Sequence, residues 1–182
     1  MCAGRVPVAG PFEAGLSSSP AASEVLIRPA AAEDDLWAMI APAIRAGETY
    51  PLPCELPRAD ALAYWCAPGH EVFVALVNGV ACGSYYLRAN QAGGGAHVAN
   101  CGYIVAPACH SQGIGRAMCA HSLMRARERG FRAMQFNFVI SSNQRAVRLW
   151  ESFGFAIVGR LPQAFAHPRC GLVDAFVMYR LL

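Results

Sequence analysis

Apolar residues recur along the chain with two periods. Glu24–Arg28 (EVLIR) reads as a short strand ending at Pro29. A helix is predicted from about Ala31 to Gly47, with Glu33, Asp34 and Asp35 in its first turn, where the helix dipole favours acids. The segment GETYPLPCELP carries three prolines and is predicted irregular; a short helix over Arg58–Cys66 follows it. Glu71–Val77 and Val80–Arg88 flank Asn78-Gly79, the strongest short hairpin signal. After the loop ANQAGGGA, His97–Ala106 reads as a third strand of this group, ended by Pro107. A long helix over Gly113–Arg129, a strand over Phe131–Ile140, a helix over Asn143–Phe153 and closing strands at Phe155–Gly159 and Val173–Leu181 complete the pattern. The order β-α-α-β-β-β-α-β-α-β-β predicts an α/β protein with a mixed, largely antiparallel sheet.

Composition narrows this further. The 182 residues suit one domain, read as 23–182, behind an aperiodic stretch, 1–22, read as a flexible tail. With 55% hydrophobic and 15% charged residues, wholesale disorder is excluded. No apolar run approaches the ~20 residues that span a bilayer, and Gly, Pro and Ser stand where a secretory signal would be apolar. Neither a membrane nor a nucleic-acid partner is expected. All 15 basic residues are arginines, which excludes Schiff-base, pyridoxal-phosphate and phosphate-loop lysine chemistry. Charge is divided along the chain: four arginines against nine acids in 1–71, net −5, and eleven against three in 72–182, net +8. A polyanionic ligand would suit the basic half, and a solvated arginine-rich surface is the plainer explanation. The eight cysteines form no C-x-x-C pair or zinc-finger spacing and sit mostly in apolar stretches, which favours a reduced, cytoplasmic, metal-free protein.

The candidate chemistry begins at VAPACHSQGIGRAM, where a strand ends and Gln112-Gly113-Ile114-Gly115 opens a helix. Glycines there let backbone approach a ligand, and free N–H groups at a helix start suit an anion. Gly115, Cys119, Ser122 and Ala126 form a small-residue stripe that would let this helix lie close on the sheet. Downstream, NQRAVRLWESFGF offers Asn143 as a cap, Ala146 and Leu149 as an apolar face and Gly154 as a stop.

Together these segments, Val105, Pro107, His110, Gly113 and Gly115, then Asn143, Ala146, Leu149, Trp150, Gly154 and Phe155, resemble the GNAT superfamily of N-acetyltransferases. The resemblance implies the acyl-CoA N-acyltransferase fold, with about seven strands and four helices, the sheet splayed between strands 4 and 5. It implies acetyl-coenzyme A as cofactor. Backbone of Gln112, Gly113, Ile114, Gly115 and Arg116 would hold the pyrophosphate, with His110, Asn143 and Trp150 nearby. Main chain of Tyr103, Ile104 and Val105 would pair with the pantetheine like an added strand. The family usually has Gln or Arg at His110, so binding should weaken as pH rises through the ordinary histidine range. Many relatives have tyrosine at Trp150 to reprotonate the leaving thiolate, a proton an indole cannot supply.

The strands around the expected splay contain no Asp or Glu but do contain Asn100 and Asn137. Each satisfies a local bulge or faces the cleft, binding substrate and ordering a water. A bulge at Cys101-Gly102 is expected, since Asn100 and Tyr103 otherwise point to opposite faces. Asn100, Tyr103, Asn137, Asn143 and L-W-x-x-x-G-F further resemble the fungal azetidine-2-carboxylate N-acetyltransferases and their bacterial relatives. That implies Asn137 and Asn100 as catalytic residues, with Asn100 and Tyr103 contacting an amino-acid substrate. Tyr50 and Tyr86 are candidate aromatic walls, with Trp65 and Tyr85, and Asp174 a candidate base or amine partner. Arg88 or donors around Asn100 could meet a carboxylate. The expected activity is transfer of acetyl to a small-molecule amine, a small amino acid or proline analogue foremost. Protein N-termini, antibiotic amines and a non-catalytic acetyl-CoA sensor are the competing readings, and homodimerisation is open.

Overall fold

The computed structural model describes residues 24–182, so the reading of 1–22 as a tail lies outside it. The elements are β1 (Val25–Pro29), α1 (Leu36–Ala46), α2 (Arg58–Trp65), β2 (Glu71–Val77), β3 (Val80–Ala89), β4 (Val98–Val105), α3 (Ile114–Glu128), β5 (Ala133–Ile140), α4 (Gln144–Ser152), β6 (Ala156–His167) and β7 (Gly171–Leu181). Short 3-10 turns lie at Gly93–Gly95 and Pro107–Cys109. The strands form one sheet in the order β1-β2-β3-β4-β5-β7-β6. Every neighbouring pair is antiparallel except β4–β5. This is the α/β architecture expected, with seven strands and four helices among the described residues. None of these helices is long and apolar enough to cross a membrane.

Two boundaries differ from expectation, each for a local reason. Helix α1 begins at Leu36, so the three acids precede it. Asp35 is the N-cap, accepting from Ala38 N at 3.2 Å. Asp34 accepts from the backbone N of Ala31 and from both Nη atoms of Arg28, all at 2.7 Å, which ties the start of α1 to the end of β1. Strand β6 runs eight residues beyond the expected end at Gly159. It is an edge strand and largely exposed, so no alternation marks it. Its Pro162 falls where the register skips between Leu161 and Phe165, a place with no ladder N–H to supply.

The sheet buries a core on each face. On one, α3 and α4 cover Tyr85, Leu87, Met134, Phe136 and Met178; on the other, α1 and α2 cover Val74, Tyr86 and Ile104. The small stripe of α3 packs as expected at Cys119, Ser122 and Ala126, all fully buried. Beneath it, a Cβ at Gly83 would lie 2.9 Å from the Ile104 carbonyl and 3.0 Å from the Met118 methyl, so this approach requires glycine. Trp65, fully buried in α2, donates from Nε1 to Ser84 Oγ at 2.9 Å, and that hydroxyl donates to the Phe73 carbonyl at 2.9 Å.

Between β4 and β5 the ladder fails. Only Val98–Ala133 and Ala99–Met134 pair, after which the strands part. The expected bulge at Cys101-Gly102 is absent: β3 and β4 stay in register from Gly83–Val105 to Ala89–Ala99. The irregularity sits in β5, where Asn137 and Phe138 together face the single step between Met178 and Phe176 of β7. Gly102 serves Tyr86 instead, whose ring would lie 2.5 Å from any Cβ there.

Candidate active site

The parting strands open a cleft of about 770 Å³. At one end lies the turn between β4 and α3. Ser111 and Gly113 both adopt left-handed backbone, φ 68 and 76, and a Cβ at Gly113 would meet nothing within 4 Å. Asp35 and Asn143 cap α1 and α4, whereas no side chain caps α3. Its first-turn N–H groups therefore lack a protein partner beside Gly113, Ile114, Gly115 and Arg116, all of which line the cleft. Gln112 is exposed and lies outside the lining. His110 lines it, but its Nε2 lies 3.2 Å from the Val105 carbonyl and so serves the strand end. Arg116, Arg145 and Arg148 also face this end and have no carboxylate partner among the described residues.

The middle of the cleft is bordered by the unpaired edge of β4. Tyr103, Ile104 and Val105 all line it, and the side chains of Tyr103 and Ile104 are engaged in the two cores. The Tyr103 hydroxyl lies 2.6 Å from Ser122 Oγ in α3, and its ring packs 4.8 Å from Trp150; Ile104 is buried on the opposite face. With no bulge, Asn100 and Tyr103 lie on opposite faces, and the Tyr103 hydroxyl is engaged with Ser122. Trp150 is buried between Tyr103 and Phe136. The buried residues of α4 are Val147 and Trp150, whereas Ala146 and Leu149, the expected apolar face, are partly buried against the same core and line the cleft. Asn143 Oδ1 accepts from Ala146 N at 3.2 Å, the cap that orients α4 against the cleft.

Side chains bridge the split where backbone no longer does. Asn100 Nδ2 donates to the Gln135 carbonyl at 2.9 Å, one step beyond the last paired residues. Asn137 Oδ1 accepts from Gln135 Nε2 at 2.8 Å, and its Nδ2 donates to Asn90 Oδ1 at 2.7 Å. Asn90 was not marked by the sequence, because an asparagine at a strand end reads as turn chemistry. Each amide of this chain keeps capacity: Asn137 still has one N–H and one lone pair to offer. Both asparagines line the cleft.

The far end is aromatic. Tyr50, Tyr64 and Tyr86 line it, carried by the α1–α2 loop, α2 and β3. Trp65 and Tyr85 stand behind the wall, buried on opposite faces of the sheet. The Tyr50 hydroxyl donates to the Tyr103 carbonyl at 3.1 Å, fastening the loop across β4. Burial pushes the phenols of Tyr50, Tyr86 and Tyr103 well above their usual range, so they stay protonated and act as donors, not bases. Arg88 and Glu48 also line this end, and Glu48 pairs with Arg169 at 2.8 Å. Glu48, Tyr64, Arg145 and Arg148 carry no motif that would have singled them out. Asp174 lies elsewhere, between β6 and β7, where it accepts from Gln163 N at 2.8 Å and pairs with Arg160. These bonds lower its carboxyl pKa, and it takes no part in the cleft.

The geometry fits an elongated molecule with a phosphate-rich end and a narrow middle that lies along β4. Comparison with known proteins gives the same picture. Residues 37–155 match the acetyltransferase (GNAT) family. The chain is 28% identical over 153 residues to the N-acetyltransferase aca1 of Schizosaccharomyces pombe, covering 74% of this chain and 72% of that one. A GCN5-related N-acetyltransferase from Kribbella flavida superposes with a TM-score of 0.81 at 40% identity, over 87% of this chain and 98% of that one. A ribosomal-protein-alanine N-acetyltransferase from Brucella melitensis has a TM-score of 0.74 at 25% identity, over 86% and 99%. The fold is shared with the yncA acetyltransferase from Salmonella typhimurium, solved with acetyl-CoA (24% identity, TM-score 0.75, 88% and 95% covered). The chain belongs to the GNAT family of acetyltransferases and is an acetyl-CoA-dependent N-acetyltransferase.

Proposed function

We propose that this enzyme acetylates the amine of a small amino acid or proline analogue held at the aromatic end of the cleft. The observation that carries the reading is the asparagine bridge. It sets two amides with unused hydrogen-bonding capacity between an uncapped helix start and a closed aromatic wall. The likeness to the fission-yeast N-acetyltransferase supports transfer to an amine.

Acetyl-CoA supplies an acetyl group already activated as a thioester. The protein supplies position. Backbone from Gly113 to Arg116 would hold the diphosphate, and main chain at Tyr103 and Val105 would flank the pantetheine. Both of those carbonyls already accept a side-chain bond, from Tyr50 and His110. Each keeps a second lone pair for a ligand. Asn137 would orient the acceptor or a water that removes its proton. Trp150, buried and without an acidic proton, leaves the thiolate to depart unaided.

Gly113 offers a test of the donor half. Its φ of 76 suits glycine, and Asn tolerates such backbone about as well as Asp. Gly113→Asn and Gly113→Asp therefore carry similar strain, but only the second sets a carboxylate against phosphate. Acetyl-CoA affinity should fall at least tenfold further in Gly113→Asp than in Gly113→Asn by calorimetry; equal losses would remove the turn from the binding site. For the acceptor, product masses from a panel of amino acids, azetidine-2-carboxylate, aminoglycosides and N-terminal peptides decide. Acetylation of peptides alone would favour the second reading, a protein N-terminus, for which the likeness to the Brucella enzyme speaks.

A further inference from the structure

Among the described residues, one buried side-chain nitrogen or oxygen has no hydrogen-bond partner, and it is Nε of Arg88. Arg88 lies near the end of β3, directly opposite Asn100 of β4, and lines the cleft beside Tyr64 and Tyr86. Other arginines of the basic half are paired, Arg125 and Arg129 with Glu71 and Arg160 with Asp174. Arg88 has no carboxylate among the described residues. Burying a guanidinium nitrogen without an acceptor is costly, and arginine is the side chain whose fork matches a carboxylate.

The neighbours do not supply that acceptor. The Asn100 amide nitrogen is turned to the Gln135 carbonyl, and the phenols of Tyr64 and Tyr86 face each other at 3.4 Å. His70 stacks on Tyr86 at 4.3 Å from the other side, with Nδ1 against the Trp65 carbonyl at 2.9 Å. The only carboxylate lining the cleft among the described residues, Glu48, is paired with Arg169. The face of β3 that carries Arg88 also carries Tyr86 and Ser84, and it looks toward α1 and α2. The phosphate-binding turn lies at the opposite end of β4, beyond Val105, so the missing anion belongs to the acceptor side of the cleft.

We infer that Arg88 is the specificity residue that clamps an acid group on the acceptor, the carboxylate of an α-amino or α-imino acid. This deepens the acceptor reading and rests on it. The amine then reaches the thioester with its carboxylate anchored behind it, and similar amines that lack the carboxylate are disfavoured because they leave Arg88 unpaired.

The test compares proline with prolinamide and azetidine-2-carboxylate with azetidine, in the parent enzyme and in Arg88→Met and Arg88→Lys. The parent should prefer each acid over its carboxylate-free partner by about 100-fold in kcat/KM. Arg88→Met should lose that preference through a raised acceptor KM, with the KM for acetyl-CoA unchanged, and Arg88→Lys should recover part of it. A parent that acetylates acids and carboxylate-free partners equally well overturns the clamp without any variant having to fold. So does an Arg88→Met enzyme that keeps the preference. Acetylation of the acids by both enzymes with the same acceptor KM leaves the acceptor class standing while the clamp falls. A parent that acetylates neither acid, but binds acetyl-CoA, overturns the acceptor class and the clamp with it.

Discussion

Asn137 is exposed on β5, yet both ends of its amide are held, by Gln135 and by Asn90 47 residues away. An exposed amide contributes little to stability, so the value of this order would lie in the cleft. Asn137→Ala should lower kcat at least tenfold while the melting temperature stays within about 2 °C of the parent. Stopped thiol-release assays and a thermal melt check this, and unchanged kinetics would take the residue out of the site. The legibility of single residues followed sequence distance. Gly113, Gly115 and Asn143 could be read because a turn and a helix cap are made by their immediate neighbours. Asn90 and Glu48 matter through partners far away in sequence, Asn137 and Arg169, and a lone asparagine or glutamate looks the same whether its environment is solvent or a cleft.

Elements were legible where one face is buried and the other wet. The β2–β3 hairpin, α3 and α4 all came within two residues of expectation, because burial imprints a period on them. Strand β6 did not, since it is exposed along most of its length and interrupted at Pro162. The start of α1 was misread for a different reason: acids suit both a helix's first turn and an ion pair before it. The Arg28 guanidinium, bonded to both oxygens of Asp34, holds that carboxyl below its usual pKa. A carboxyl with a lower pKa folded than unfolded favours folding above its unfolded pKa, and the contribution fades as pH falls through the folded value. Asp34→Asn should therefore melt below the parent at pH 7, with the gap narrowing below about pH 4. A gap independent of pH between 2 and 7, followed by calorimetry, would show that the pair's charge is immaterial to the β1–α1 junction.

At the scale of the molecule, the division of charge along the chain becomes a division across the cleft. The arginines that line it, Arg88, Arg116, Arg145 and Arg148, all come from the basic half, and its one lining carboxylate, Glu48, comes from the acidic half. The split sheet makes this possible by bringing the start of α3 and the face of α4 to the same mouth. Arg145 and Arg148 are exposed, so any action on a ligand's phosphates would run through a screened field and not through buried contacts. Replacing both with alanine should raise the KM for acetyl-CoA about threefold to tenfold and leave kcat within about twofold. The distinguishing measurement is salt dependence. If the two arginines act by field, the parent's KM climbs steeply with added sodium chloride while the double variant's climbs less, and the two converge at high salt. Parallel slopes would mean that the basic half is only a solvated surface, and that the backbone of the α3 turn holds the diphosphate without help from charge.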